Sequence, residues 1–180
     1  VALRQEMSRL VTSGDVRRFE QGIYYIPEKG LFSSGGTLSF DKVIERKYLV
    51  DSTGRRCGYV SGQAFANQFG ISTQVPMVIT VVSNKATTRE RRVRLAGREI
   101  ILRKPRCEVN ERNFRILQLD LVLDVERYCE ISLDEGRKRV AQYVQKWVIE
   151  LRSMEEYFSY YPSKLFKNLY EMGLLRAVSA

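Results

Sequence analysis

The sequence predicts a mixed α/β (α+β) protein with a helical C-terminal half, and three observations carry that prediction. Two short β-rich runs, VRRFE and IYYIP, follow a helix-periodic opening. A β-branched run, VITVV, follows Pro76 and precedes two strand-like runs rich in arginine. From residue 113 onward, apolar positions recur at helical spacing. The 180 residues, 44% of them hydrophobic, suffice for a sizeable core of one large domain or two small ones. No run of about 18 apolar residues offers a membrane span, and no secretory signal pattern opens the chain, so a cytoplasmic protein is expected.

Taken in order, ALRQEMSRLVTSGD places Leu3, Met7, Leu10 and Val11 on one stripe and Gly14 at the helix end. The stripe predicts a buried face, leaving Arg4, Gln5, Ser8, Arg9 and Thr12 outward. The pair Gln21-Gly22 can supply the positive φ of a tight turn between the two β runs. A helix followed directly by a basic hairpin is the order found in the second half of a winged helix-turn-helix, a recognition helix and its wing. An ordinary αββ corner with solvated arginines fits the same residues. A complete module needs helices before the recognition helix, so residues 1–30 are expected to be the recognition helix and wing of a truncated winged helix, with DNA binding by this piece impaired.

Residues 28–40, EKGLFSSGGTLSF, read as a linker or loop leading to a second, α/β domain over 37–180. Within that domain DKVIERKYLV is expected as a helix, followed by the STGRRCG loop. YVSGQAFANQFG is expected as a small-residue helix ending at Gly70, and VITVV as a buried strand. RRVRLAG and REIILRK are expected as a hairpin turning around Gly97-Arg98. FRILQLDLVLDVERY is apolar enough for a core helix, although its alternation also allows a strand. Ser132 and Glu135 form a capping box opening a helix with Val140, Val144, Trp147 and Leu151 at helical spacing. Pro162 starts a last helix with Leu165, Leu169 and Met172 along one stripe and Gly173 past its end.

Charge narrows the function. Thirty Lys and Arg against 21 Asp and Glu give +9, and residues 37–112 hold 15 basic and 7 acidic groups, or +8 of that total. A polyanion or an acidic protein surface is the expected partner. The absence of histidine excludes a histidine triad and removes the commonest zinc ligand. Cys57, Cys107 and Cys129 are odd in number with no C-x-x-C spacing, so reduced structural thiols are expected.

Two stretches resemble one family, the AbiEi-like antitoxins and transcriptional regulators of type IV toxin–antitoxin systems. Ser8-Arg9-Leu10 with Gly14, Arg18, Gly22, Tyr24, Tyr25 and Pro27 is similar to that family's recognition helix and wing. SGQAFANQFGISTQVP, residues 61–76, is the more specific match. Glu6-Met7 stands where the family pattern has Ala-Leu, and Leu38-Ser39-Phe40 lacks the prolines common near the interdomain loop. The last 70 residues match loosely. The resemblance implies an autorepressor that binds double-stranded DNA at the operator of its own operon. It further implies a C-terminal domain that opposes a nucleotidyltransferase-like toxin, directly or indirectly, and that is neither an enzyme nor a cofactor or metal binder.

Four groups of residues are candidates for function. Arg4, Gln5, Ser8, Arg9 and Thr12 are expected to face the major groove, with Arg17, Arg18 and Gln21 at the backbone or minor groove. Lys85, Arg89, Arg91, Arg92, Arg94, Arg98, Arg103 and Lys104 form a basic partner surface, in which Arg92 and Arg94 point together opposite Val93 and Leu95. Ser61, Gly62, Asn67, Gln68, Ser72, Thr73, Gln74 and Pro76 belong to the polar junction. Its side chains are expected to satisfy backbone groups at a helix end, with a polar pocket or partner surface as the alternative. Asp120 and Asp124, four apart, would share a helix face; they read as solvated, with a small metal-dependent nuclease as the rival. Tyr157, Tyr160 and Tyr161 beside Phe158 read as packing between the last helices. Ser61 has no recognisable base and is no nucleophile. A basic interaction protein that binds RNA or a protein remains the other reading of the whole chain.

Overall fold

A computed structural model of the chain describes residues 2–27, 38–149 and 151–171. It is a mixed α+β structure with a two-stranded hairpin and a four-stranded sheet. Helix α1 runs Ala2–Ser13 and Gly14 follows at φ +81°, as its sequence predicts. The expected buried face is absent, because none of its residues is buried and Leu3 is 79% exposed. Strands β1 (Arg17–Glu20) and β2 (Ile23–Tyr25) pair antiparallel around Gln21-Gly22, with a bulge between Arg18 and Glu20. The hairpin's apolar side is anchored elsewhere: Phe19 and Ile23 pack against the core of the larger sheet.

The linker assigned to 28–40 lies outside the described residues as far as 37. Helix α2 (Phe40–Ile44) continues into one π-helical turn over Glu45–Leu49, and both bury their apolar side. Strands β3 (Gly58–Ser61), β4 (Val78–Ser83), β5 (Glu90–Leu95) and β6 (Arg98–Arg103) form the sheet in the order β3-β4-β6-β5. The β4–β6 pair is parallel and the others are antiparallel. One face of the sheet, Ile79, Val81, Leu95, Ile100 and Leu102, packs under Val43, Ile44, Tyr48 and Leu49. The opposite face is covered only in part, where Tyr59 and Val82 meet Val109 and Leu117.

Three expected elements differ. YVSGQAFANQFG is not one helix: its first residues are β3, and α3 occupies only Gly62–Gln68. Gly58 explains the strand, because a Cβ there would meet Tyr48 O at 2.6 Å and Val82 O at 2.7 Å, so a side chain would push the strands apart. FRILQLDLVLDVERY breaks into α4 (Phe114–Leu117), a 3-10 stretch over Gln118–Asp124 and α5 (Val125–Tyr128). Its crowded apolar residues are too many for one face, and the tighter 3-10 winding buries Leu119 and Val122, three apart, in one cluster and Leu121 in another. Helix α6 (Leu133–Lys146) opens on Ser132, whose Oγ accepts from Glu135 N at 3.3 Å, but it ends at Trp147, so Leu151 begins a separate helix, α7 (Leu151–Glu155). Val148 adopts φ +48° at that break. Helix α8 (Ser163–Glu171) follows Pro162 and buries Leu165 and Leu169; Met172 and Gly173 lie outside the described residues.

Candidate nucleic-acid interface

Arg4, Gln5, Ser8, Arg9 and Thr12 are all exposed on α1, as are Arg17, Arg18 and Gln21 on the hairpin. Arg9 lies 3.6 Å from Glu6, one turn earlier, in a solvent-exposed pair of the kind that contributes little. Thr12 Oγ1 donates to the Ser8 carbonyl at 2.9 Å, so that hydroxyl keeps only its acceptor capacity. A groove of about 930 Å³ runs between α1 and the hairpin. Arg4, Gln5, Ser8 and Thr12 line it with Arg18 and Tyr24, alongside the apolar Leu3, Met7 and Val11. The polar and apolar residues of α1 therefore share one concavity instead of dividing into an outer and a buried side.

The basic partner surface divides. Arg92 and Arg94 are exposed on the face opposite Val93 and Leu95, as the alternation predicts. Arg92 is bound to Glu99 at 2.6 Å, and Arg103 to Glu90 at 2.7 Å. Among the described residues Arg94 has no such carboxylate. By register Arg91 and Arg98 belong to the core side of the sheet, where the Arg98 guanidinium lies 4.8 Å from the Phe40 ring centre. Lys85 stays exposed, but its ammonium turns back onto the chain. Its Nζ donates to the carbonyls of Lys47 at 3.0 Å and Val50 at 2.5 Å, capping the π-helical turn that the sequence did not reveal. Arg89 and Lys104 stand at the far end of the β5–β6 pair, with Lys104 N donating to Arg89 O at 3.1 Å.

Side chains of the polar junction bond to one another and to nearby backbone. Ser72 is buried and its Oγ accepts from Gln63 Nε2 at 2.6 Å and from Gln74 N at 3.2 Å. Asn67 Nδ2 donates to Ser72 O at 3.2 Å. Thr73 donates through both its amide, at 2.8 Å, and its hydroxyl, at 2.6 Å, to Glu130. Those two bonds, the hydroxyl above all, hold the Glu130 carboxyl below the usual carboxylate range. Gly62 adopts φ +63° at the β3–α3 corner, with Ser61 as the residue before the helix. Gln68 and Gln74 are exposed, and half-buried Pro76 precedes β4.

Two expectations about the carboxylates are overturned. Asp120 and Asp124 do not share a face, because 3-10 winding puts three residues in a turn; Asp124 is exposed while Asp120 turns inward. Asp120 accepts from Ser61 Oγ at 3.0 Å and from Tyr59 OH at 3.2 Å. Ser61 thus has a carboxylate partner after all, across 59 residues of sequence. Burial drives the Asp120 carboxyl up to about 7 against the pull of those hydroxyls and of Arg106 and Arg103. Burial, with Asp120 next to it, also raises Tyr59 well above a normal tyrosine. Tyr157 and Tyr161 pack against the Tyr59–Leu117 cluster, whereas Tyr160 is 49% exposed. No group of three Cys, Asp or Glu among the described residues is arranged to hold a metal ion. Sequence reasoning missed Tyr59, Glu130 and the Asp120 pairing because their partners are 57 to 61 residues apart and no local pattern marks them. No family model, no curated protein and no solved structure matches this chain.

Proposed function

We propose that this protein is an AbiEi-like antitoxin and DNA-binding transcriptional regulator that represses its own operon and opposes a nucleotidyltransferase-like toxin. One observation carries the proposal: α1 holds Arg4, Gln5, Ser8, Arg9 and Thr12 exposed, and a short antiparallel hairpin with exposed Arg17, Arg18 and Gln21 follows it at once. On this reading residues 1–30 are recognition helix and wing and residues 37–180 the antitoxin domain. Arginine and glutamine can bond base edges in the major groove, while the arginines of the hairpin neutralise phosphates. The resemblance in 8–27 and in 61–76 supports the same reading. No helix among the described residues is long and apolar enough to cross a membrane.

The second reading is a basic interaction protein that binds RNA or a protein through the sheet. Arg94 favours it, as an exposed cation on the β5 edge with no carboxylate partner among the described residues. Footprinting on DNA from upstream of the protein's own reading frame separates the two. The first reading expects a protected, sequence-defined site that is lost on Arg9→Ala. Absence of any protected site, with binding to RNA or to an acidic protein retained, establishes the second. Co-expression with a neighbouring nucleotidyltransferase then tests the antitoxin half by growth rescue.

A further inference from the structure

On the outer face of the sheet the described helical half meets Tyr59 of β3 and Val82 of β4, while Arg92 and Arg94 of β5 are exposed. Beside Tyr59 and Val82 lies a cleft of about 650 Å³, within the range of small-molecule sites. Its lining includes Arg89, Lys104 and Arg106 at the basic end, and Tyr59 and Asp120.

The basic end carries uncompensated charge. Lys104 N donates to Arg89 O at 3.1 Å just beyond the last ladder pair, Glu90 and Arg103, so two cationic residues lie side by side where the strands end. Neither side chain has a carboxylate partner among the described residues, since Glu90 is taken by Arg103. Arg106 lies 5.3 Å from the Tyr161 ring centre and donates one long bond, 3.4 Å, to Tyr160 O, which leaves most of its donors open. Three cations around one cleft call for a polyvalent anion.

Asp120 asks for the opposite. Its carboxylate has about four acceptor positions, and Tyr59 and Ser61 use two of them. Half-buried beside two neutral donors, it has no cation in hydrogen-bond contact among the described residues. An N–H or O–H donor arriving in the cleft would complete it. A ligand that is phosphorylated at one end and carries neutral donors at the other meets both demands.

We propose that this cleft binds a nucleoside phosphate, with the phosphates on Arg89, Lys104 and Arg106 and with sugar hydroxyls or base N–H groups on Asp120. The site is independent of the reading of α1, and it reassigns Arg89 and Lys104 from a general basic surface to a defined pocket.

The test is calorimetric titration of the whole protein, at one salt concentration, with ADP, GDP, CDP and UDP, with their 2′-deoxy forms, and with inorganic pyrophosphate. At least one nucleoside diphosphate is expected to bind tenfold or more tightly than pyrophosphate, and the deoxy series tells sugar contacts from base contacts. Arg89→Gln with Lys104→Gln, both exposed positions that leave the core intact, should abolish binding of nucleotide and pyrophosphate alike. Asp120→Asn should collapse the nucleotide-to-pyrophosphate ratio toward one while pyrophosphate still binds. Equal affinity for pyrophosphate and every nucleotide overturns the proposal, as does the absence of binding. Binding of a single-stranded RNA oligomer where no mononucleotide binds also overturns it.

Discussion

The Ser61 hydroxyl donates to the Asp120 carboxylate across 3.0 Å, tying the last residue of β3 to the 3-10 stretch that covers the sheet. With Tyr59 on the same carboxylate, the bond fixes where the helical half sits on the sheet. Burial of that carboxyl, against the pull of the two hydroxyls, gives a protein without histidine a group whose pKa is raised to about 7.

Asp120 binds its proton more tightly in the folded chain than its ordinary value of 3.8, holding it to about 7. A carboxyl with a raised folded pKa contributes stability that is fully present below the unfolded value and is lost as pH climbs through the folded one. Unfolding free energy is therefore expected to fall between about pH 4 and pH 7, by up to about 1.4 kcal/mol per pH unit from this group alone. Asp120→Asn keeps an acceptor for Ser61 and Tyr59 and carries no charge. Urea unfolding across that range should show the variant flatter with pH and more stable than the parent at pH 8.

Ser72→Ala removes the acceptor that Gln63 and the Gln74 amide share, in a buried position. The loss is expected to be about 1–3 kcal/mol by urea denaturation, because the Gln63 amide is left with an unmet donor. In the double variant with Gln63→Ala the cost should be smaller than the sum of the two singles. Additive losses would mean that the junction does not act as one unit.

At the β5–β6 turn, Ala96 and Gly97 both have positive φ, +47° and +78°, the pattern of a type I′ hairpin. Alanine pays for that conformation and glycine does not, while Ala96 N donates to Glu20 at 2.5 Å in either case. Ala96→Gly is expected to raise stability by about 0.5–1 kcal/mol, after the larger unfolded-state entropy of glycine is offset. A shift of the denaturation midpoint at constant slope is the readout.

Much of this fold was legible where the signal is local. The Gln21-Gly22 turn, the Arg92/Arg94 alternation, the Ser132 cap and the helix after Pro162 each depend on neighbours within a few residues. The failures share a different cause. The stretch 114–128 looked like one helix because its apolar residues are dense, yet three separate clusters compete for them. Gly58 becomes part of a strand because Tyr48 and Val82 approach it, which nothing near position 58 announces. Lys85 looked like surface charge until the carbonyls of a π-helical turn claimed it. Asp120 carries the same lesson at the candidate site, since its environment is set by β3 and its sequence context resembles an ordinary solvated face.

The most direct test of the central claim is a pair of salt titrations of duplex binding, one on DNA from upstream of the protein's own reading frame and one on a scrambled duplex. Arg9→Ala should weaken the first far more than the second, by about 1–3 kcal/mol. Arg94→Ala, which removes a guanidinium with no carboxylate partner among the described residues, should leave the preference between the duplexes unchanged. Equal affinity of the Arg9 variant and its parent for the upstream duplex would contradict the assignment of α1 to the groove.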